Sequence, residues 1–334
     1  MNLLSNTHKR IIIFVIAILI GWAIWQVNIS LRNPCYSSAF SRCFVLSTTT
    51  FLIVYTPFEI YWSIRDLWFD RWIRLSFKYV EVSKKFIKVS DGVLSANIIK
   101  KNNLTDSFTK KAIIVIAHGF SDTKETLQYY YLPLVYQGYI VLTYDARGTG
   151  KSKKTGKRSD FLRRIDDFKS IIDWVKNQRE FSTLKIHCIG FSIGAITVLC
   201  GGIPNKDVEK TIAISSMSNY RQNIPKLNPL IKISYLMKRV KFFPTEEENR
   251  KLSPYLIIEA LKNTLSQEEW KKISKKIMLI HSRNDRIIKF RNFEENKKIS
   301  EIHENNLLIF KKGGHSHKKN EISLVGGTLY FLNS

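Results

Sequence analysis

Cysteine is scarce: four residues in 334 are too few for a disulfide framework. Cys188 and Cys200 sit inside apolar runs, as buried thiols do. Cys35 and Cys43 are near enough in sequence to pair, but only if their segment faces an oxidising compartment. Proline (8) and glycine (15) are also few, and apolar residues make up 44%. Together these exclude a disordered or a collagenous chain. No internal repeat and no low-complexity block interrupts the sequence. The last shortage is of acid: 28 Asp plus Glu stand against 53 Lys plus Arg, a net charge of +25. That excess names nucleic acid, anionic membrane and acidic ligands as partner classes without choosing among them. The length suits about two domains, or one large α/β unit with an appendage.

What is present begins with a long apolar run. Ile11 to Val27 is uninterrupted except at Gln26, follows His8-Lys9-Arg10, and is extended by Ile29 and Leu31. About 20 apolar residues cross the hydrocarbon core as a helix, so 10–31 is expected to be a transmembrane span. Trp22 and Trp25 near its far end fit an interfacial belt. The run is long for a signal peptide and lacks a small-x-small cleavage site. A second stretch, 44–62, is diluted by Thr48, Thr49, Thr50, Pro57 and Glu59. It reads equally as a second span or as the start of an interfacial segment continuing through Trp62, Trp68, Phe69 and Trp72, interleaved with Arg65, Arg71 and Arg74. One span would put the rest of the chain outside. Two spans would return it to the cytoplasm, beside the basic flank of Arg71, Arg74, Lys78, Lys84 and Lys85. Residues 1–75 are therefore expected to be a membrane anchor.

From about residue 76 the pattern changes to alternating strands and helices. Phe86–Val89 and Val93–Ile99 around Ser90-Asp91-Gly92 read as a hairpin. Short apolar runs follow at Ala112–Ala117, Tyr139–Tyr144, Lys185–Phe191, Thr211–Ser215, Ile277–His281 and Leu307–Phe310. Helical periodicity stands between them, most clearly in Phe161, Ile165, Phe168, Ile172 and Val175. Repeated β-α units with fully apolar strands imply an α/β fold, a parallel sheet covered on both faces. The interval 217–276 breaks the rhythm. It is Lys-rich, carries Pro225, Pro229, Pro244 and Pro254, and is too long for a connecting loop. It is expected to form a helical cap over one edge of the sheet.

Three strand ends carry chemistry. Gly190-Phe191-Ser192-Ile193-Gly194 joins a strand to an apolar helix, the setting in which G-x-S-x-G exposes a nucleophilic serine on a tight turn. A serine hydroxyl needs a base, and the base a carboxylate to orient it. Asp285 follows the Ile277–His281 strand, and His315 follows the last strand after Gly313-Gly314. His317 is a second candidate base, disfavoured because His315 stands directly on the glycine turn. Asp285 has a rival role as a helix cap before Ile287. The oxyanion requires donors: the backbone N–H of Ile193, and that of Phe120 in His118-Gly119-Phe120. His118 itself reads as structural.

These motifs, with Tyr144-Asp145-Ala146-Arg147-Gly148-Thr149-Gly150-Lys151-Ser152, resemble the α/β-hydrolase superfamily. Within it the chain is similar to the membrane-anchored Bem46-like and the serine aminopeptidase and monoglyceride lipase-like branches, over about Phe86 to Leu332. The resemblance implies an eight-stranded, mostly parallel sheet flanked by helices in 76–334. It also implies a Ser192–His315–Asp285 esterase, lipase, thioesterase or peptidase without a cofactor. The sequence departs from the family around the acid, where Ser282, Arg283 and Arg286 stand. The two arginines either depress the Asp285 pKa or face solvent.

Two decoys can be set aside. Gly148-Thr149-Gly150-Lys151-Ser152 lacks the first glycine of a phosphate-binding loop, Asp145 standing in its place. His315, His317 and His281 form a thin ligand set, and no metal is expected. Residues 1–75 hold 7 basic and 3 acidic side chains, leaving 46 basic and 25 acidic on the rest. Spread over many clusters without a nucleic-acid module, these charges favour anionic lipid headgroups as partner. The sequence thus reads as a membrane-anchored serine hydrolase of acyl esters, with lipidic ones suggested by Leu230, Ile231, Ile233, Tyr235, Leu236, Phe242 and Phe243. A peptidase, amidase or thioesterase of the same fold is the alternative, and a non-catalytic anchored scaffold the remaining one.

Overall fold

A computed structural model of the chain describes residues 6–31, 37–64, 79–102, 110–227 and 229–334. Cys35, the aromatic and basic residues from Arg65 to Lys78, and the 75/76 boundary lie outside the described residues. The chain divides into two compact units, Met1–Arg71 and Trp72–Ser334.

In the first unit, α1 (Asn6–Leu31) and α2 (Ser37–Ile64) pack on each other along their lengths. Both are long and apolar enough to cross a membrane, over Arg10–Ser30 and Arg42–Tyr61. The pairing is antiparallel. Arg10 meets Glu59 at 3.6 Å, Phe14 meets Phe51 and Tyr55 edge-on, and the Ser47 hydroxyl donates to the Gly21 carbonyl at 2.5 Å. Gly21 permits that approach, since an added Cβ would lie 3.4 Å from the Ser47 carbonyl. Cys43 is a buried free thiol within this unit.

The second unit is built on an eight-stranded sheet in the order β1-β2-β4-β3-β5-β6-β7-β8. The strands are β1 (Val80–Val89), β2 (Gly92–Lys101), β3 (Ala112–Ala117), β4 (Ile140–Tyr144), β5 (Lys185–Phe191), β6 (Val208–Ile214), β7 (Ile277–Ser282) and β8 (Leu307–Phe310). β1 and β2 form the antiparallel hairpin, β2 meets β4 antiparallel, and the remaining pairs are parallel. Side chains alternate between faces. Ile114, Ile116, Ile212, Ile214 and Ile280 point to α3 (Gln128–Tyr136) and α12 (Glu321–Asn333). On the other face, Ile113, Val115, Leu142 and Cys188 pack on α4 (Phe161–Asn177). Further along that face, Ala213, Ile277 and Leu279 pack on α5 (Ile193–Gly202) and α11 (Arg291–Ser300).

The interval between β6 and β7 divides in two. From Met217 to Leu252, α6 (Tyr220–Asn223), α7 (Pro229–Met237) and α8 (Glu246–Leu252) bring Ile224, Leu227, Tyr235, Val240 and Leu252 onto Phe120, Phe161 and Ile193. This stretch covers the Phe120 loop and the start of α5, as the expected cap would. α9 (Pro254–Thr264) and α10 (Gln267–Ser274) instead insert Ile258 and Trp270 between α5, β7 and α11. They are the crossover helices every parallel connection requires. The cap is thus shorter than the expected 217–276.

The parallel arrangement collects the loops after β3, β4, β5, β6, β7 and β8 at one edge of the sheet. β3 lies between β4 and β5, so the chain direction of winding reverses there, opening a crevice between the loops after β3 and β5.

Candidate active site

Ser192 sits in that crevice, at the strand-to-helix turn between β5 and α5. Its φ of 56° is unusual for a residue with a side chain. Its N–H donates to the Ile214 carbonyl at 2.9 Å, and the Ala195 N–H returns to the Ser192 carbonyl at 2.9 Å. The turn is this sharp because glycine stands on both sides. A Cβ on Gly190 would collide with the Gly194 backbone, and one on Gly194 with the Ala117 carbonyl.

His315 follows β8 on a turn in which Gly313 and Gly314 both have positive φ (124° and 61°). Its Nε2 lies 2.9 Å from Ser192 Oγ and its Nδ1 lies 2.8 Å from Asp285 Oδ2. With Nδ1–H donating to the carboxylate, Nε2 is the acceptor for the serine hydroxyl. Asp285 follows β7 and is buried. Its Oδ1 accepts from the Ile287 and Ile288 N–H groups at 2.8 and 3.0 Å. No helix starts at Ile287, the next one beginning at Arg291, so Asp285 Oδ1 closes a turn rather than capping a helix, and Oδ2 faces His315.

Burial raises the Asp285 pKa, but His315, by charge and hydrogen bond, and His281 outweigh it and hold the carboxyl at about 2. The flanking arginines do not supply this. Arg283 stacks over the Phe290 ring at 4.8 Å. His281 does: its Nε2 lies 3.4 Å from Asp285 Oδ2 while donating to the Ile288 carbonyl at 2.8 Å. Sequence analysis weighed His281 only as a metal ligand, although it stands four residues before Asp285 across a single turn.

His317 is brought close to the triad but not to Ser192. Its Nε2 meets Ser215 Oγ and its Nδ1 meets Ser282 Oγ, each at 3.0 Å. Burial first, then the neighbouring His315 and His281, push its pKa down to about 3, so it stays neutral. Through these serines it ties the His315 loop to the ends of β6 and β7. Asn284 adds a second tie, its Oδ1 accepting from the Gly314 N–H at 2.9 Å. Neither tie left a signal in sequence spacing.

Ile193 opens α5, where first-turn N–H groups have no partner within the helix. The Phe120 loop lies against Ser192, since a Cβ on Gly119 would be 3.6 Å from Ser192 Cβ. His118 braces that loop. Its Nδ1 donates to the Gly119 carbonyl at 2.7 Å, and its Nε2 accepts from the Ala146 N–H at 3.0 Å. Burial, then the charge of Arg164, lower its pKa to about 4, so the ring is neutral and its two hydrogen bonds set the tautomer.

The loop after β4 folds around its own acid. Asp145 is buried and bridges to buried Lys124 at 2.5 Å, while accepting from the Lys124 and Lys151 N–H groups, each at 2.9 Å. Arg147 is buried beside it and grips Asp167 with Nε and Nη2 at 2.8 and 2.6 Å.

The fold has counterparts among solved structures. An esterase of Pyrococcus furiosus superposes with a TM-score of 0.55 at 20% identity, over 78% of this chain and 94% of that one. A Xanthomonas campestris serine hydrolase described as having no lid gives 0.50 at 14%, over 76% and 94%. An acylaminoacyl peptidase of Pyrococcus horikoshii gives 0.54 at 18%, over 77% of this chain and 41% of that one. The chain has the α/β-hydrolase fold. Residues 109–259 match the sequence model of the family described as serine aminopeptidase, S33. That match spans β3, the elbow and the cap, and stops before Asp285 and His315. No curated protein matches this sequence.

Proposed function

We propose that the chain is a membrane-anchored serine hydrolase that cleaves acyl esters. The observation that carries this reading is the unbroken relay from Ser192 Oγ through His315 to Asp285, at 2.9 and 2.8 Å, with Ile193 at the elbow and the Phe120 loop alongside. Ser192 attacks the ester carbonyl while His315 Nε2 takes its proton. The negative charge passes to the carbonyl oxygen, facing the Phe120 and Ile193 N–H groups, and Asp285 stabilises the imidazolium. Collapse expels the alcohol, which leaves with the proton from His315. A water repeats the sequence on the acyl-enzyme and frees the acid and Ser192.

A fluorophosphonate probe tests the nucleophile: labelling of the full chain, lost in Ser192→Ala, is the expected result. Equal labelling of both, or none of a folded wild type, would sink the mechanism. Amide or peptide cleavage is the second reading, favoured by the serine aminopeptidase match over 109–259. Turnover of aminoacyl amides above that of matched esters would establish it.

Lipid substrates and the bilayer itself are part of the proposal. The cap exposes Ile233, Leu236, Met237 and Phe243 by 54% to 77%, interleaved with exposed Lys238, Arg239 and Lys241, a pattern suited to an anionic membrane surface. Long-chain esters in anionic vesicles should be preferred to short soluble esters, and the reverse order would remove the lipid reading. The antiparallel α1–α2 pair supports two spans, with the hydrolase on the cytoplasmic side. Cysteine accessibility at the hydrolase surface in intact cells distinguishes this from one span.

A further inference from the structure

Two buried arginines near the site differ in a way that bears on what the site accepts. Arg147 uses Nε and Nη2, the two donors that point the same way from one edge of a guanidinium, to hold both oxygens of Asp167. Arg164, one turn before Asp167 on α4, is 2% exposed. Its Nε and Nη2, the same pair, are buried and meet no hydrogen-bond partner among the described residues. That edge is the one that matches a carboxylate with two parallel bonds. A guanidinium without a partner is a costly group to bury.

The surroundings of Arg164 supply no acid for it. The Phe161 ring lies 5.6 Å from its guanidinium. The charged and titratable groups acting on it are the Tyr144 and Tyr235 phenols, Arg158, Asp167 and His118, and Asp122 acts in turn on Arg158 and His118. Asp167 is already committed to Arg147, His118 is neutral, and Arg158 adds a second positive charge. Burial leads these causes in lowering the Arg164 pKa, but only to about 10, so the group stays a cation at neutral pH.

Arg164 lies against the buried cluster that packs on the Phe120 ring. Tyr235 of the cap stacks 4.5 Å from the Phe120 ring, Phe161 lies 5.8 Å from it, and Arg158 stands over it at 5.9 Å. Phe120 carries one of the two oxyanion amides. In the sheet order, Arg158 and Arg164 lie on the β3–β4 side of Ser192, whereas His315 and Asp285 lie on the β7–β8 side. The leaving group departs beside His315, which protonates it. The β3–β4 side is then left to the acyl part.

We propose that Arg164, with Arg158 at the rim, is a subsite for a carboxylate at the far end of the substrate's acyl chain. Monoesters of short dicarboxylic acids are the simplest members of that class. The inference rests on the serine hydrolase reading above.

The test compares p-nitrophenyl monoesters of succinic, glutaric and adipic acids with p-nitrophenyl butyrate, using the full chain in nonionic detergent. Fluorophosphonate labelling is followed on the same samples. The wild type should prefer at least one anionic ester by kcat/KM, and high salt should weaken that preference. Arg164→Met should lower the anionic-to-neutral ratio by about tenfold or more and should not lower Tm, because it removes an unpaired buried charge. Arg158→Gln should lower the ratio by a smaller factor. Enzyme that labels but shows no anionic preference overturns the subsite and leaves the hydrolase standing. Arg164→Met that loses Tm and both ester activities in parallel also overturns it, marking Arg164 as a structural group. Wild type that is folded and never labels overturns the hydrolase, and the subsite with it.

Discussion

The loops after β4 and after β7 each bury an aspartate against a cationic or proton-bearing partner, yet they are built for opposite ends. Asp145 is closed on all sides: Lys124 by its ammonium and its amide, and the Lys151 amide, share its two oxygens. Lys124 is as buried as its partner. Asp285 is held as firmly on its inner oxygen by the Ile287 and Ile288 amides. Its outer oxygen, however, ends on His315, whose other nitrogen reaches Ser192. A buried carboxylate is thus a strut when its chain of partners closes on itself. In the proposed mechanism it becomes a catalytic element when the chain ends on a serine hydroxyl at the crevice.

The comparison can be broken in order of effect. Ser192→Ala should lower ester turnover by about 10⁶-fold with Tm little changed, as measured by kcat and thermal melting. Asp285→Asn should lower kcat by about 10⁴-fold by favouring the wrong His315 tautomer, while the melt stays cooperative. Lys124→Met is the counterpart at the closed loop. Leaving Asp145 buried without its cation should cost about 3–5 kcal/mol, read as a lower denaturation midpoint. The variant that still folds should keep its labelling rate. A Lys124→Met protein of wild-type stability would show the strut to be idle.

His317→Gln tests the tie between the two sides. It should lower kcat by about 10- to 100-fold with KM little altered, since His315 would lose its fixed position. A variant with wild-type kcat would show that the glycine turn and Asn284 position His315 unaided.

The smallest effect is on acid stability. The folded Asp285 pKa lies below its ordinary value of 3.8, at about 2. Its contribution, about 2 kcal/mol, is therefore complete above pH 4 and lost as pH falls through about 2. Asp285→Asn should flatten that part of the stability profile, and an unchanged slope would remove the claim.

Much of the site was legible because its parts are local. Ser192, Asp285 and His315 each follow an apolar run by a few residues, and glycine marks two of the three turns. The partners of those residues were not legible for the converse reason. Ser215, Ser282 and His317 meet only because β6, β7 and β8 are neighbours in the sheet, an order no spacing along the chain encodes. The cap shows the same limit. Ile258 and Trp270 have helical periodicity like that of the true cap, and periodicity gives a face without naming what covers it. Nothing in the sequence sets Arg164 apart from the other basic residues, because its burial depends on how the chain folds around α4.

The crowding at the elbow has a consequence beyond mechanism. Gly190 and Gly194 are each pressed against backbone, and no side chain is smaller than a methyl group. Every codon change to another amino acid at either position therefore disrupts the turn at once. A descendant of this gene can abandon the elbow in one step, but it has no gradual path away from it. Surface loops such as those bearing the lysine clusters are free to drift while that turn stands still.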